Sequence, residues 1–534
     1  MTSSPPPSTL AAGLVGGLAA ELVAGRHRDL LAPLQFLEPG SRPARRPRGA
    51  DRTALARALG VANAAAGHPR AAELAAKLAD PDTRVVVAGQ QTGLFGGPLL
   101  ALVKAAAAAR WAEELEAADG RPAVGLFWMA TEDHDWQEVA GVTVLAGDGP
   151  RTLSLGADPS PLAPVGLRTV GAPVAALLAE LAELYPAEWF RAWLERLAGW
   201  WRPEARFGEA FARTHVALLG ERAPLYLDSM LPELKAAQQP HLAALVERRE
   251  AFATALAGRE RELAARGLEP QVAPQPGASP LFLIRGRERR RIEWQGGDRF
   301  ALRGGAEPAE PVARLLETIA GNPSAVSPGV LARPAIQDAV LGTALFLVGP
   351  GEMAYLAQAA AAHEVLGIEP PAVALRPQAL VLDRRSREHL AELGATLAEL
   401  VENPSALADR LARRGGAGFV EPAAAEIARR IEELRSAALA VDPALERPWR
   451  KTGATVGRAL GSFAGKVAAA ATRRDQHSAA RLEKLSELVR PGGKPQERTL
   501  AAAWFAGRWG EAFGGRLAAA LDLDPRRLSV VDPG

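Results

Sequence analysis

The sequence predicts an α/β protein: a mainly parallel sheet core with an inserted subdomain, followed by a C-terminal α-helical coiled-coil arm. Three observations carry that prediction. A short β-branched run, Arg84–Ala88, leads through a glycine-rich turn into a helix-patterned stretch, Pro98–Ala118, and then a second apolar run, Ala123–Ala130. Strand-like runs recur at Pro224–Leu227, Leu281–Ile284, Leu345–Val348 and Ala372–Leu375, with helical pattern between several of them. After Arg384 such runs largely disappear and apolar residues fall into spacings of three and four.

Strand, glycine turn, helix and strand make a βαβ unit, which gives the core its Rossmann-like character. Pro98 suits the first helical turn, where a missing N–H costs nothing. Ala123–Ala130 is apolar nearly throughout, as strands covered on both faces are. Upstream, Thr9 to Lys77 reads as helical, broken by the Pro/Arg-rich stretch Pro39–Arg48. Helical segments bearing Trp189, Trp193, Trp200 and Trp201 fill residues 172–220. An insertion at 281–303 pairs Leu281–Ile284 with Arg291–Trp294 as a small hairpin.

In the arm, Leu390, Leu393, Leu397 and Leu400 are followed by Ile427, Ile431, Leu434, Ala438 and Val441, then Val456, Leu460, Phe463 and Val467, then Leu482, Leu485 and Val489. Asn403-Pro404, Gly415–Gly418 and Pro443 separate these heptad seams. The expectation is a long antiparallel coiled coil joining two copies as a homodimer; a packed bundle within one chain uses similar spacing. The domains are therefore expected at 1–384 (core), 385–490 (arm) and 491–534, the last carrying Trp504, Phe505 and Trp509 back onto the core.

At 534 residues the chain is long enough for two or three domains. Lys plus Arg total 63 against 61 Asp plus Glu, which gives no support to a nucleic-acid partner. The basic run Arg285–Arg291 reads as a solvated hairpin or loop face. There is no cysteine, so disulfides, thiolate metal sites and a cysteine nucleophile are excluded. No apolar run nears the roughly 20 residues of a membrane span. Met1–Leu10 lacks the pattern of a signal peptide, so a cytoplasmic location is expected.

Four polar clusters follow apolar runs directly, where open parallel sheets place their ligand crevice. The first is Gly89-Gln90-Gln91-Thr92-Gly93, with Lys104 in the next helix. Its glycines allow close approach and its helix start offers free N–H groups to an anion, although it is neither a Walker A loop nor a GxGxxG motif. A tight-packing turn would also use glycines, but nothing in turn chemistry requires the paired glutamines. The second is Glu132-Asp133-His134-Asp135: an imidazole among carboxylates suits a general base, oxygen ligation of a divalent cation, or, for Asp135, plain helix capping. The third is Asp228, which could bind a substrate hydroxyl or amine or cap the next helix. The fourth is Gly349-Pro350-Gly351-Glu352 with Tyr355, preceded by Arg333 as a carboxylate clamp. No HxH or HExxH spacing occurs among the other histidines, so no transition-metal site is expected.

Together, Gly89–Leu94 with Lys104, Phe127-Trp128…Glu132-Asp133-His134-Asp135…Glu138, Gly349–Glu352 with Tyr355, and Gln496-Glu497-Arg498 resemble the bacillithiol biosynthesis cysteine-adding enzymes, a cysteine ligase family. The order and spacing of these motifs span nearly the whole chain. Leu100, Ala101 and Val103 stand where the family usually has Tyr-Thr and another polar residue. The resemblance implies an enzyme that joins the carboxyl of L-cysteine to the amine of glucosaminyl-malate. Such chemistry needs a base, for which His134 backed by Asp133 or Asp135 is the candidate. It also needs cations or backbone N–H groups for developing charge and for the malate carboxylates, from Lys104, Arg333 and the Gly89–Gly97 turn. The sequence names no cofactor: ATP with Mg²⁺ and an already activated cysteine donor both remain open. The other readings are a nucleotide-dependent ligase or transferase for a different amine and acid, and a non-enzymatic coiled-coil adaptor on a nucleotide-binding core.

Overall fold

The parallel sheet starts with a two-residue strand, β1 (Gln35–Phe36), inside the stretch whose spacing predicts only helix. Helices Thr53–Ala65 and Ala71–Ala79 follow. Next come β2 (Arg84–Gln90), the helix Leu99–Asp119 and β3 (Ala123–Met129), which realise the βαβ unit. The computed structural model describes residues 17–43, 51–416, 420–474 and 476–534. Met1–Leu10, the rest of the stretch before residue 17, and the parts of the two breaks at 44–48 and 417–418 lie outside the described residues. Val85–Val87 and the whole of β3 are buried, as a strand covered on both faces requires. Gly125 sits where a Cβ would come 2.7 Å from the Ala108 carbonyl, so a glycine here lets the alanine-rich helix lie directly on β3.

An antiparallel hairpin, β4 (Gly141–Ala146) and β5 (Gly149–Ser154), leaves the core after β3. Helices Val174–Leu184, Glu188–Trp200 and Phe207–Leu219 then lead to β6 (Leu225–Asp228). The inserted region is larger than the expected hairpin. Strands β7 (Ala278–Arg285), β8 (Glu288–Trp294), β9 (Arg299–Leu302), β10 (Glu310–Pro311) and β11 (Val326–Pro328) form one antiparallel sheet in the order β10-β9-β8-β7-β11. Leu281–Ile284 therefore does not join the parallel sheet. Burial alternates along β7, with Ser279, Leu281 and Leu283 turned inward, which marks a strand covered on one face. That face shares a core with Phe252, Leu315 and Ile319.

Strands β12 (Thr343–Val348) and β13 (Ala372–Leu375), with the helix Pro350–Leu366 between them, complete the parallel sheet in the order β1-β13-β12-β2-β3-β6. The chain runs from β2 outward to β3 and β6, whereas β12 and β13 lie on the other side of β2. The gap between the carboxyl ends of β2 and β12 is thus the topological switch point, where such sheets bind ligands. Strand β14 (Gln378–Val381) pairs in parallel with β15 (Leu528–Val531), which ties the C-terminal segment into this unit.

Two compact units result: one runs to Val381 and resumes at Pro495–Gly534, and the other is Leu382–Lys494. The second is helical among its described residues, with its longest helices at Val420–Val441 and Glu446–Arg474. Asp442 caps the turn between them, and Arg435 meets Glu446 at 3.0 Å across it. On these helices Ile427, Leu434, Val441 and Phe463 are exposed. Among the described residues, no helix is long and apolar enough to cross a membrane.

Candidate active site

A cavity of about 390 Å³ opens at the switch point, walled by the residues that follow β2, β3, β12 and β13. It gathers Gly89, Gln90, Gln91, Lys104, Glu132, Asp133, Arg333, Gly351, Glu352 and Tyr355 from the sequence-predicted set. Its walls also include Trp128, Glu138, Arg289, Arg376 and Arg498. Leu100, one of the positions that departs from the family pattern, lines it as well.

Lys104 bridges the switch point. Its ammonium donates to the Gly89 carbonyl at 2.7 Å, to Gln90 Oε1 at 2.9 Å and to Glu352 Oε2 at 2.5 Å. Three partners use all three donors of an ammonium. Burial pushes this amine below its ordinary value, against the opposing pull of Glu352. Lys104 therefore joins the two halves of the sheet, and the expectation that it meets substrate carboxylates is revised. Glu352 is committed too, since the same oxygen accepts from the Gly349 N–H at 2.7 Å at the start of its helix.

The carboxylates after β3 separate into distinct roles. Glu132 is buried and paired at 2.5 Å with the fully buried Lys235. Asp133 accepts from Gln91 Nε2 at 2.8 Å and from Arg289 at 3.3 Å, so the second glutamine of the pair orients it. Asp135 caps the short helix Trp136–Val139 by accepting from the Glu138 N–H at 3.2 Å, the bland alternative that sequence left open. Glu138 has its carboxyl pushed up by loss of hydration in the concave wall and then by Asp135 and Asp133, although the side chain still meets solvent. His134 does not line this cavity. It faces a neighbouring one of about 520 Å³, which shares Asp133, Arg289, Gly329 and Val330 with the first. Its Nδ1 lies 3.6 Å from Asp133 and 3.3 Å from Arg289. Burial and the Arg289 charge hold its pKa below the ordinary histidine value, and Asp133 opposes them.

Two of the expected ligand residues stand elsewhere. Asp228 turns away at the end of β6, where it accepts from Thr131 Oγ1 and from the Met230 N–H at 2.8 Å; burial raises its pKa. Thr131 and Ser229 pass that anchoring on to the Glu132 backbone N–H, so Asp228 shapes the loop rather than touching the cavity. Gly93 packs on Gly97, whose Cα would lie 2.9 Å from an added Cβ. Its role is tight packing.

Arg289 is the residue that sequence reasoning misplaced. The run Arg285–Arg291 suggests a solvated face, yet Arg289 is 5% exposed, lies over the Phe282 ring at 3.7 Å and bonds Ser327 Oγ at 2.9 Å. The only sequence signal was strand alternation, which turns Arg289 and Arg291 to the same face as Phe282.

Among the described residues, Arg333 and Arg498 have no carboxylate partner in the cavity wall. Arg333 donates to Tyr355 Oη at 3.0 Å and to Gln337 Oε1 at 2.8 Å. Burial raises the Tyr355 hydroxyl to about 12, so it stays protonated beside the guanidinium. Gln496 and Glu497 of the QER triplet are structural: Gln496 bonds Val381 on both its N–H and C=O, while Glu497 pairs with Arg376 at 2.5 Å. The third member, Arg498, is left facing the cavity.

Two family models match the chain: "Bacillithiol biosynthesis BshC, N-terminal Rossmann-like domain" over residues 36–377, and the C-terminal coiled-coil domain of the same family over residues 379–530. Relatives named "Putative cysteine ligase BshC" include one from Solibacter usitatus, 31% identical over 488 residues and 90% of each chain. One from Thermus thermophilus is 33% identical, covering 80% of this chain and 84% of its own. Another, from Salinibacter ruber, is 29% identical over 92% of each. With both domain models in order along one chain and relatives matching across most of its length, the protein belongs to the bacillithiol biosynthesis BshC family, whose named relatives are ligases.

Proposed function

We propose that this enzyme joins the carboxyl group of L-cysteine to the amine of glucosaminyl-malate in the last step of bacillithiol formation. The observation that carries the reading is a cavity lined by two guanidinium groups with no carboxylate partner among the described residues, Arg333 and Arg498, and by the carboxyl groups of Asp133 and Glu138. The first pair suits the carboxylates of malate through planar, forked hydrogen bonds. The second pair suits an ammonium group and the proton it must release.

Amide formation requires the amine nitrogen to attack an activated acyl carbon, lose one proton and expel the activating group with its oxygen. Asp133, fixed by Gln91 and Arg289 and shared by both cavities, stands where an amine proton can pass toward His134. His134, held below its ordinary pKa, is neutral at pH 7 and free to accept a proton. The Gly351 N–H, in the first turn of a helix on the cavity wall, favours developing negative charge, whereas the Gly349 N–H is already held by Glu352. Among the described residues, no group of three or more His, Asp and Glu side chains is arranged to hold a metal ion. Incubation with glucosaminyl-malate and L-cysteine, with and without ATP and Mg²⁺, tests the proposal by mass spectrometry. Bacillithiol is the expected product, and release of AMP or ADP identifies the activation. Product from another amine, with none from glucosaminyl-malate under a condition that activates cysteine, sinks the assignment.

The exposed Ile427, Leu434 and Val441, spaced seven apart on one helix, further support pairing of the helical unit with a second copy as a homodimer.

A further inference from the structure

Arg333 is tied to a buried chain of polar groups that leads away from the cavity. Its Nη1 donates to Gln337 Oε1 at 2.8 Å, one turn along the helix Arg333–Leu341. Gln337 Nε2 donates to Asp338 Oδ1 at 3.3 Å, and the other Asp338 oxygen lies 2.8 Å from His363 Nε2. Gln337, Asp338 and His363 are 0%, 4% and 1% exposed. His363 Nδ1 has no hydrogen-bond partner among the described residues, so Asp338 is the ring's one polar anchor.

His363 and Tyr355 ride on the same helix, Pro350–Leu366. Two links therefore fasten that helix to the Arg333 helix: Arg333 to Tyr355 at the cavity, and Asp338 to His363 in the interior. The same two helices also bury Ile336, Leu341, Met353, Leu356 and Ala360 as ordinary apolar packing. A carboxylate and an imidazole are costly to bury, and apolar residues of similar volume would hold two helices together at least as well. What apolar residues cannot do is orient an amide, and the Gln337 amide is what grips the guanidinium. Immobilising an arginine costs rotamer entropy, a cost that a preset partner removes before any ligand arrives.

We propose that Gln337, Asp338 and His363 are positioning residues, a relay that fixes the Arg333 guanidinium so that its remaining N–H donors face a substrate carboxylate. This inference rests on the reading that Arg333 meets a carboxylate of the amine substrate. A double-mutant cycle on the full-length enzyme tests it, with Asp338→Asn, Arg333→Ala and the pair together, measuring KM and kcat for glucosaminyl-malate alongside thermal unfolding. Asp338→Asn should raise KM about tenfold while kcat changes less than about threefold, and should add nothing once Arg333 is alanine. His363→Gln, which keeps a donor toward Asp338, should recover most of the affinity that His363→Leu loses. An equal increase in KM in both Arg333 backgrounds, tracking the loss of unfolding temperature, overturns the relay. Should Asp338→Asn fail to fold, Gln337→Leu closes the same cycle with the same two outcomes. If wild-type enzyme does not turn over glucosaminyl-malate, the functional reading fails separately, and a crystal structure of the Asp338→Asn or Gln337→Leu variant decides the relay. A displaced or multiply positioned Arg333 supports it, whereas an unchanged Arg333 overturns it.

Discussion

The Lys235 ammonium stands 2.5 Å from the Glu132 carboxylate, with both groups shut off from solvent. Glu132 is the first residue of the polar cluster after β3, and this pairing turns it into an anchor for the loop that carries Asp133 and His134. Removing one partner strands a buried charge. Lys235→Met should therefore destabilise the fold by about 3–5 kcal/mol. Adding Glu132→Gln to Lys235→Met should recover a large part of that loss. Chemical denaturation of the three variants measures both effects; equal stability of wild type and Lys235→Met contradicts the anchoring role.

Arg289 adds to burial in holding the His134 imidazole below its ordinary pKa. Its charge, second only to burial, holds the imidazole pKa down, and Asp133 opposes it. If His134 accepts the proton, the acid limb of kcat/KM follows that pKa. Arg289→Gln removes the repulsion, so the pKa rises and activity should fall away at a higher pH than in wild type. Asp133→Asn removes the opposing attraction and should move the same limb to lower pH. Shifts in one common direction, or none, remove His134 from the proton path.

Arg498 has no carboxylate partner among the described residues and lines the cavity, and Arg333 shares that condition. Alanine at either position should weaken binding of the malate-bearing substrate by about 1.5–3 kcal/mol, the worth of a hydrogen bond to a charged group. The loss should fall mainly on KM. Steady-state kinetics checks this, and an unchanged KM for both variants shows that the carboxylates bind elsewhere.

Leu434 is 69% exposed and Val441 is 84% exposed, on the same seam as Ile427. Leu434→Glu with Val441→Glu should convert a dimer into monomers in light scattering, while circular dichroism keeps its helical signal. A wild-type protein that elutes as a monomer at micromolar concentration rules out the homodimer.

Much of the core was legible in the sequence because its signals are local. Val85–Val87 with Gly89, the helix running to Asp119 and the apolar β3 follow directly from periodicity and turn chemistry. Three of the four polar clusters after strand-like runs line the crevice, because parallel strands all end on one side, whereas Asp228 turns away from it. The two-residue β1 was not legible, since so short a strand exists only by pairing with β13. The antiparallel sheet around β8 was underestimated for a similar reason: pairing between β9 and β10 or between β7 and β11 leaves little trace in any one segment.

The sequence by itself determined the βαβ core, the sites of the glycine turns and many of the polar residues that line the crevice. Only the tertiary structure decided what each of them does. Lys104 has its three donors filled by Gly89, Gln90 and Glu352, Glu132 is matched to Lys235, Asp228 is turned toward Thr131, and Arg289 is brought in from a distant hairpin. Local pattern fixes backbone conformation through sterics and burial. The pairing of a charge depends on which neighbour lies within about 4 Å, and residues more than a hundred positions apart are brought together only by the fold.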